Sequence, residues 1–336
     1  MFATTAATDI RLGLEWFLNP DHLPLVVALS EGLFADAGLN VTLVEPADHW
    51  EAEQEIIAGR LDVAVTETLH LAQDSAAGKP VLGFSRFLHT DGGVMYLRGK
   101  NISRPADMCG ATITYPGSPG PGGPAIVQTM VEADGGSCDI GSYGKHNGGF
   151  FHTDALASGA ASVATLIFYN FEVIEAKSRG LDAGFFSLKE WGVPDFCQLV
   201  LFTTPERYEA LKPALRKLVL AMRAATGLVQ REPARAQKAW AAFVAARSPP
   251  PERTLGASFK RLAERLNPVA RWRKAKEART ECDTMAATLP AFPNDNSLSA
   301  DYFAELMGWL VRTGQVDAEK AEASPPSKYW TNDICL

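Results

Sequence analysis

Short apolar runs and longer amphipathic stretches alternate along the first third of the chain. Ile10 to Leu14 reads as a strand, closed by the polar turn Asn19-Pro20-Asp21-His22. The apolar stretch Leu23 to Ala37 predicts a helix, with Gly38 as its C-terminal cap. Val41 to Val44 is a second strand. Asp48-His49-Trp50-Glu51 resembles a capping box opening a helix that ends near Gly59, and Leu61 to Val65 is a third strand. Strands alternating with helices predict an α/β fold with a parallel sheet covered on both faces.

The pattern then restarts. Ala111 to Tyr115 is a strand, Gly117 to Gly123 a Gly/Pro loop, and Ala125 to Ala133 a helix. A helix near Asp154 to Ser158 leads through Gly159 into a strand over Val163 to Phe168. The stretch Ala58 to Val65 echoes Ser158 to Thr165: each sets a helix-ending glycine just ahead of a strand. Two lobes on one plan follow, residues 1–95 with 200–336 forming one and 96–199 the other. Past Thr203 the chain turns helical, with a helix pair over Pro205 to Arg231, a helix over Pro233 to Ala246, and a breaker at Ser248-Pro249-Pro250-Pro251. Further helices are predicted around Phe259 to Leu266, Ala275 to Ala287 and Tyr302 to Thr313, the basic run Arg271 to Lys276 being a solvated helix face. The tail from Ser324 carries Tyr329 and Trp330 and must pack back.

Length and composition narrow the function. At roughly 150 residues per domain, 336 residues allow about two. No run reaches the ~18 apolar residues of a membrane span. With 32 Lys+Arg against 39 Asp+Glu and a net charge of -7, a nucleic-acid partner is excluded. The five cysteines are odd in number, far apart and without a Cys-x-x-Cys pair, which points to a reducing compartment and no structural zinc. Met1 to Asp9 has no Lys or Arg and no apolar core, so the expectation is a cytoplasmic protein, or a periplasmic one if Met1 stands at a mature terminus.

Candidate chemistry sits where strands end, since open α/β sheets bind ligands beyond the carboxyl ends of their strands. Trp16 follows the first strand and offers a stacking platform, or packs in the core. Glu67 and His70 follow the third, and Tyr169-Asn170-Phe171-Glu172 follows the matching strand of the second lobe. Tyr115 with Gly117, Gly120 and Gly122 forms a strand-to-helix loop that is either an anion cradle or a plain turn. It lacks the Gly-Lys-Ser/Thr ending of a P-loop and the spacing of a dinucleotide fingerprint, which disfavours a nucleotide-dependent oxidoreductase. There is no Gly-x-Ser-x-Gly elbow and no His-Glu-x-x-His, and His146 and His152 lack metal-ligand spacing. No metal is expected.

Taken in order, several segments resemble one family. They are Leu14-Glu15-Trp16-Phe17-Leu18-Asn19-Pro20-Asp21-His22, Glu31-Gly32-Leu33-Phe34, Gly38-Leu39, Gly59-x-x-Asp62, Asn170-Phe171-Glu172, Gly192-Val193-Pro194 and Tyr329-Trp330-Thr331-Asn332-Asp333. The family comprises thiamine-pyrimidine synthases and periplasmic pyrimidine-precursor-binding proteins. The resemblance implies a type-II periplasmic-binding-protein fold with a cleft between two α/β lobes, and adds Asn19 and His22 to the candidate site. One branch binds formylaminopyrimidine or related precursors for an ABC transporter, with a permease as partner. The other is cytoplasmic and makes the pyrimidine phosphate from pyridoxal phosphate and its own histidine, using iron; His70 falls at that histidine. That branch has a lysine where this chain has Thr66, and a run of cysteines where this chain has only Cys197. The reading is therefore a soluble binder of a thiamine-pyrimidine precursor or similar aromatic heterocycle, with no cofactor and with a permease or a second copy as partner. A variant synthase using His70, pyridoxal phosphate and iron is the alternative.

Overall fold

Leu12 and Ile113 hold equivalent places in two sheets, pairing with Val63 and Val163 respectively, so the sequence echo is also an echo in space. The structure, a computed structural model, describes residues 6–47, 50–115, 121–247 and 279–335. The strands are β1 (Thr8–Gly13), β2 (Leu39–Val44), β3 (Val63–Glu67), β4 (Leu82–His89), β5 (Gly92–Leu97), β6 (Thr112–Tyr115), β7 (Gly144–Asn147), β8 (Val163–Phe168), β9 (Ala183–Ser187) and β10 (Gln198–Thr203). They form sheets of order β2-β1-β3-β10-β4 and β7-β6-β8-β5-β9. In each, four of the five strands point the same way and one, β10 or β5, runs antiparallel to both its neighbours.

The sheets are therefore mixed, not purely parallel. The reason lies in the connections: β4 to β5 and β9 to β10 pass between sheets without a crossover helix, and a strand entering that way can run against its neighbours. The first passage falls at Thr90–Asp91, so β5 belongs to the second sheet and residue 95 lies inside that strand.

Several local expectations are revised. The helix expected over Leu23 to Ala37 is two, α1 (Leu23–Ser30) and α2 (Leu33–Asp36), because Gly32 adopts φ +74 and interrupts it. Helix α3 (Ala52–Ile57) has Glu51 at its N-cap with no side-chain capping bond, so the described part of the capping box does not cap; Asp48 and His49 lie outside the described residues. Trp50 instead donates through Nε1 to the Leu14 carbonyl at 3.1 Å. After α4 (Thr68–Ala76) come α5 (Gly122–Ala133), α6 (His152–Ser158) and α7 (Ile174–Ser178). The pair expected over Pro205 to Arg231 is one 27-residue helix, α8 (Pro205–Arg231), running through Pro213. Its buried face, Leu215, Leu218, Met222 and Ala225, packs along α1, and that tertiary contact holds the helix despite the missing N–H. Then follow α9 (Pro233–Arg247), a helix over 279–288 and the helix Ala300–Arg312. The Pro249–Pro251 breaker, the Phe259 to Leu266 helix and the Arg271 to Lys276 run lie outside the described residues.

Two features tie the first sheet together. Asp62 accepts from Arg11 Nε at 2.9 Å and Nη2 at 3.0 Å and from Arg207 Nη2 at 2.6 Å, joining β1, β3 and α8. Burial alone would raise its carboxyl, but these bonds hold it below the usual Asp range. The Gly59-x-x-Asp62 motif is thus structural. At the C-terminus, Trp330 bridges to Gly83, where a Cβ would stand 2.6 Å from the indole.

Cys109 and Cys138 form a disulfide, their Cα atoms 5.6 Å apart across 29 residues. The cysteine spacing, read as five unpaired thiols, had not shown this pair. Sequence distance is uninformative here because α5 returns the chain to the end of the turn Pro105–Met108. Closing a loop of this length is worth roughly 3–4 kcal/mol. Reductant should lower the melting temperature of the wild-type protein and leave a Cys109→Ser/Cys138→Ser variant unmoved; equal responses would show that the bridge contributes nothing.

Candidate functional site

Residues from both sheets enclose one cavity. Glu15 and Trp16 follow β1, and Asn19 and Asp21 belong to the turn after them. Glu67 ends β3, Leu166 and Phe168 lie on β8, Phe171 and Glu172 in the π-helical turn Tyr169–Val173, and Leu199 on β10. The space between them, part of it open to solvent, is about 380 Å³. Glu15, Trp16 and Glu67 also line a second cavity of about 760 Å³ with Trp50, Thr66, His70 and Asp74. Leu166 adopts φ +59, a conformation costly for a bulky side chain, and such strain collects at functional sites.

Aromatic rings close the gap between the sheets. Trp16 meets Phe150 at 4.4 Å and lies nearly parallel to His152 at 5.8 Å. Phe17 touches Phe150, Phe151 and Phe171 at 6.2, 6.5 and 5.9 Å. The indole Nε1 of Trp16 is sealed from water and has no hydrogen-bond partner.

The electrostatics are one-sided. Glu15, Asp21, Glu67 and Glu172 line the first cavity, and no lysine or arginine lines either one among the described residues. Burial raises the Asp21 carboxyl to about 7 and Glu67 to about 8, and holds Glu172 well above the carboxylate range. Beside the second cavity, Lys79 is held by Glu51, by Glu53 at 2.6 Å and by Asp74 at 3.0 Å. These three carboxylates converge closely enough for a cation, and the lysine ammonium already serves them. Such a lining suits a ligand rich in N–H donors and offers an anion no cationic side chain among the described residues.

The structure distributes the sequence-predicted residues unevenly. Trp16, Asn19, Glu67 and Glu172 line the first cavity, while His70 lines the second. Asn19 is committed to its turn: Oδ1 accepts from the Asp21 N–H at 2.8 Å, and Nδ2 donates to the Phe17 carbonyl at 3.1 Å. His22 is fully buried behind the cavity, its Nε2 3.1 Å from Glu15. Burial works to lower its pKa, but Glu15 outweighs it and raises it, so His22 orients that carboxylate. Asn170 donates to Asp21 at 2.5 Å and to Thr288 at 2.9 Å, linking the two sheets and the 279–288 helix. Glu172 accepts from the Phe168 N–H at 3.0 Å.

Tyr169 does not line either cavity; it packs edge-on against Phe185 at 5.1 Å, with Lys177 3.1 Å from its hydroxyl. Tyr115 is buried at the end of β6 against the first turn of α5, which Gly122 opens. Gly117 and Gly120 lie outside the described residues. Sequence reading had not singled out Glu15, Asp21 or Phe150 as site residues. Glu15 and Asp21 carried a signal, a carboxylate beside a strand-end tryptophan and another in the turn behind it; Phe150 carried none.

A family model described as NMT1/THI5 like matches residues 19–236. The formylaminopyrimidine-binding protein of Halalkalibacterium halodurans is 30% identical over 199 residues, 59% of each chain, so the match spans about three fifths of that relative. A protein of Haemophilus influenzae assigned to thiamine biosynthesis is 27% identical over 244 residues, 71% of this chain and 74% of the relative. Pyrimidine phosphate synthases match over shorter stretches, 99 to 176 residues. The alkanesulfonate-binding protein SsuA from Xanthomonas axonopodis superposes with a TM-score of 0.67 at 14% identity, covering 97% of this chain and 99% of the other. At that identity the likeness establishes the fold, that of the periplasmic binding proteins.

Proposed function

The chain belongs to the NMT1/THI5-like family, and we propose that it binds a thiamine-pyrimidine precursor, or a closely similar amino-heterocycle, as the ligand-binding component of an import system. The observation that carries this reading is the acid-lined cavity beside Trp16, without lysine or arginine among its described lining residues. Carboxyl groups accept from the amino groups of such a ring, and the indole gives its flat face a stacking surface. A permease is the partner this role calls for, and no cofactor is required. The Cys109–Cys138 disulfide supports a site of action outside the reducing cytoplasm. No described helix is long and apolar enough to cross a membrane.

The synthase alternative fits these residues poorly. An imine with pyridoxal phosphate needs a free amine. Thr66 offers none, Lys79 is engaged by three carboxylates, and Lys145 is exposed on β7, lining neither cavity. His70 lines the second cavity, where it can contact a ligand.

Calorimetric titration with formylaminopyrimidine, pyridoxal phosphate and an alkanesulfonate tests the proposal. Saturable binding of the pyrimidine and none of the two anions is expected. Sulfonate binding without pyrimidine binding would overturn the reading, and a borohydride-trapped pyridoxal adduct would promote the synthase.

A further inference from the structure

Glu67 stands where both cavities meet, at the C-terminal end of β3 and the N-cap of α4. A carboxylate there ordinarily accepts from the first backbone N–H groups of the helix, yet this side chain makes no capping bond. Its Oε2 is sealed from water and has no hydrogen-bond partner. An acid oxygen left so is costly unless a ligand completes it.

The neighbouring groups decide its charge. Glu15 faces it from the end of β1, and Asp21 and Glu172 line the same cavity. On the other side stand His70 and Asp74 of α4 and Glu53 of α3. The Cys197 thiol, just before β10, is raised by burial first and would be raised further by an ionised Glu67. Burial first, and then Glu15, raise the Glu67 carboxyl to about 8. Of these two facing acids, Glu15 has the His22 imidazole against it, whereas Glu67 Oε2 has no partner.

We propose that Glu67 is the ring-selecting residue of the cleft, an uncharged carboxyl that donates its O–H to a ring nitrogen and accepts from the amino group beside it. The ligand class is an unprotonated aza-aromatic ring with an amino group next to a ring nitrogen. This rests on the pyrimidine-binding role proposed above and adds the edge by which the ring is read. Glutamine presents one donor and one acceptor at the same place without titrating.

The test uses the full chain with Glu67→Gln and Glu67→Ala. Formylaminopyrimidine affinity is measured by calorimetry from about pH 6 to about pH 9, with melting temperatures checking each fold. Wild-type affinity should fall about tenfold per pH unit above the carboxyl's pKa. Glu67→Gln should show no alkaline fall and bind about tenfold more tightly than Glu67→Ala. Glutamine as weak as alanine, or a flat wild-type profile, overturns the inference. Infrared difference spectra of ligand-free protein separate this result from failure of the pyrimidine reading. A protonated-carboxyl stretch at about pH 7, lost in Glu67→Gln, is expected whether or not pyrimidine binds, and its absence also overturns the inference.

Discussion

Replacing Trp16 by alanine should weaken pyrimidine binding roughly thirtyfold to over a hundredfold, the equivalent of about 2–3 kcal/mol. The indole lines both cavities and is braced by Phe150 at 4.4 Å and His152 at 5.8 Å. Truncation therefore removes the stacking face and also the wall between the two spaces. Trp16→Phe keeps an aromatic face but loses the Nε1–H, which has no partner in the protein, so it should lose less than Trp16→Ala. Titration calorimetry beside thermal melts would check both. An alanine variant that binds like wild type would remove Trp16 from the site.

Raising the pH should destabilise the protein, and Asp21 should account for a large part of the slope. Its folded pKa of about 7 lies above the unfolded value near 3.9. The folded state thus favours the protonated acid. The stability it contributes is fully present below about pH 4 and is lost progressively up to about pH 7, at about 1.4 kcal/mol per unit, some 4 kcal/mol in all. Glu67 and Glu172, also raised by burial, act in the same direction. Asp21→Asn keeps an acceptor for the Asn170 amide and cannot ionise. Its stability should fall less steeply between about pH 5 and about pH 8, and should exceed that of the wild type at the alkaline end. Parallel denaturation profiles for the two proteins would show that Asp21 carries no such burden.

How far the site was legible depended on how local each signal was. The strand end before Trp16 and the acid at Glu67 could be read from apolar runs that stop at polar residues. The turn Asn19-Pro20-Asp21-His22 was equally visible, but its members divide their work in a way that spacing does not show. Asn19 closes the turn and His22 holds Glu15, while Asp21 reaches across to Asn170. Tyr169 and Glu172 are three residues apart in one π-helical turn, which sends one toward Phe185 and the other into the cavity.

By itself the sequence determined the strands β1, β3 and β8, the glycines that precede two of them, and the α/β class. Those features rest on local periodicity and on backbone conformations open to glycine, and Gly59 and Gly159 take φ +72 and +77. The ordered motifs also carried the family. Only the tertiary structure decided that β5 and β10 enter the sheets antiparallel, that Cys109 meets Cys138, and that α8 runs unbroken through Pro213. It alone brought Glu15, Asp21, Glu67 and Glu172 around one space. A carboxyl's charge depends on burial and on what faces it, and both arise from contacts between segments as much as about 150 residues apart, a separation over which no local pattern reaches.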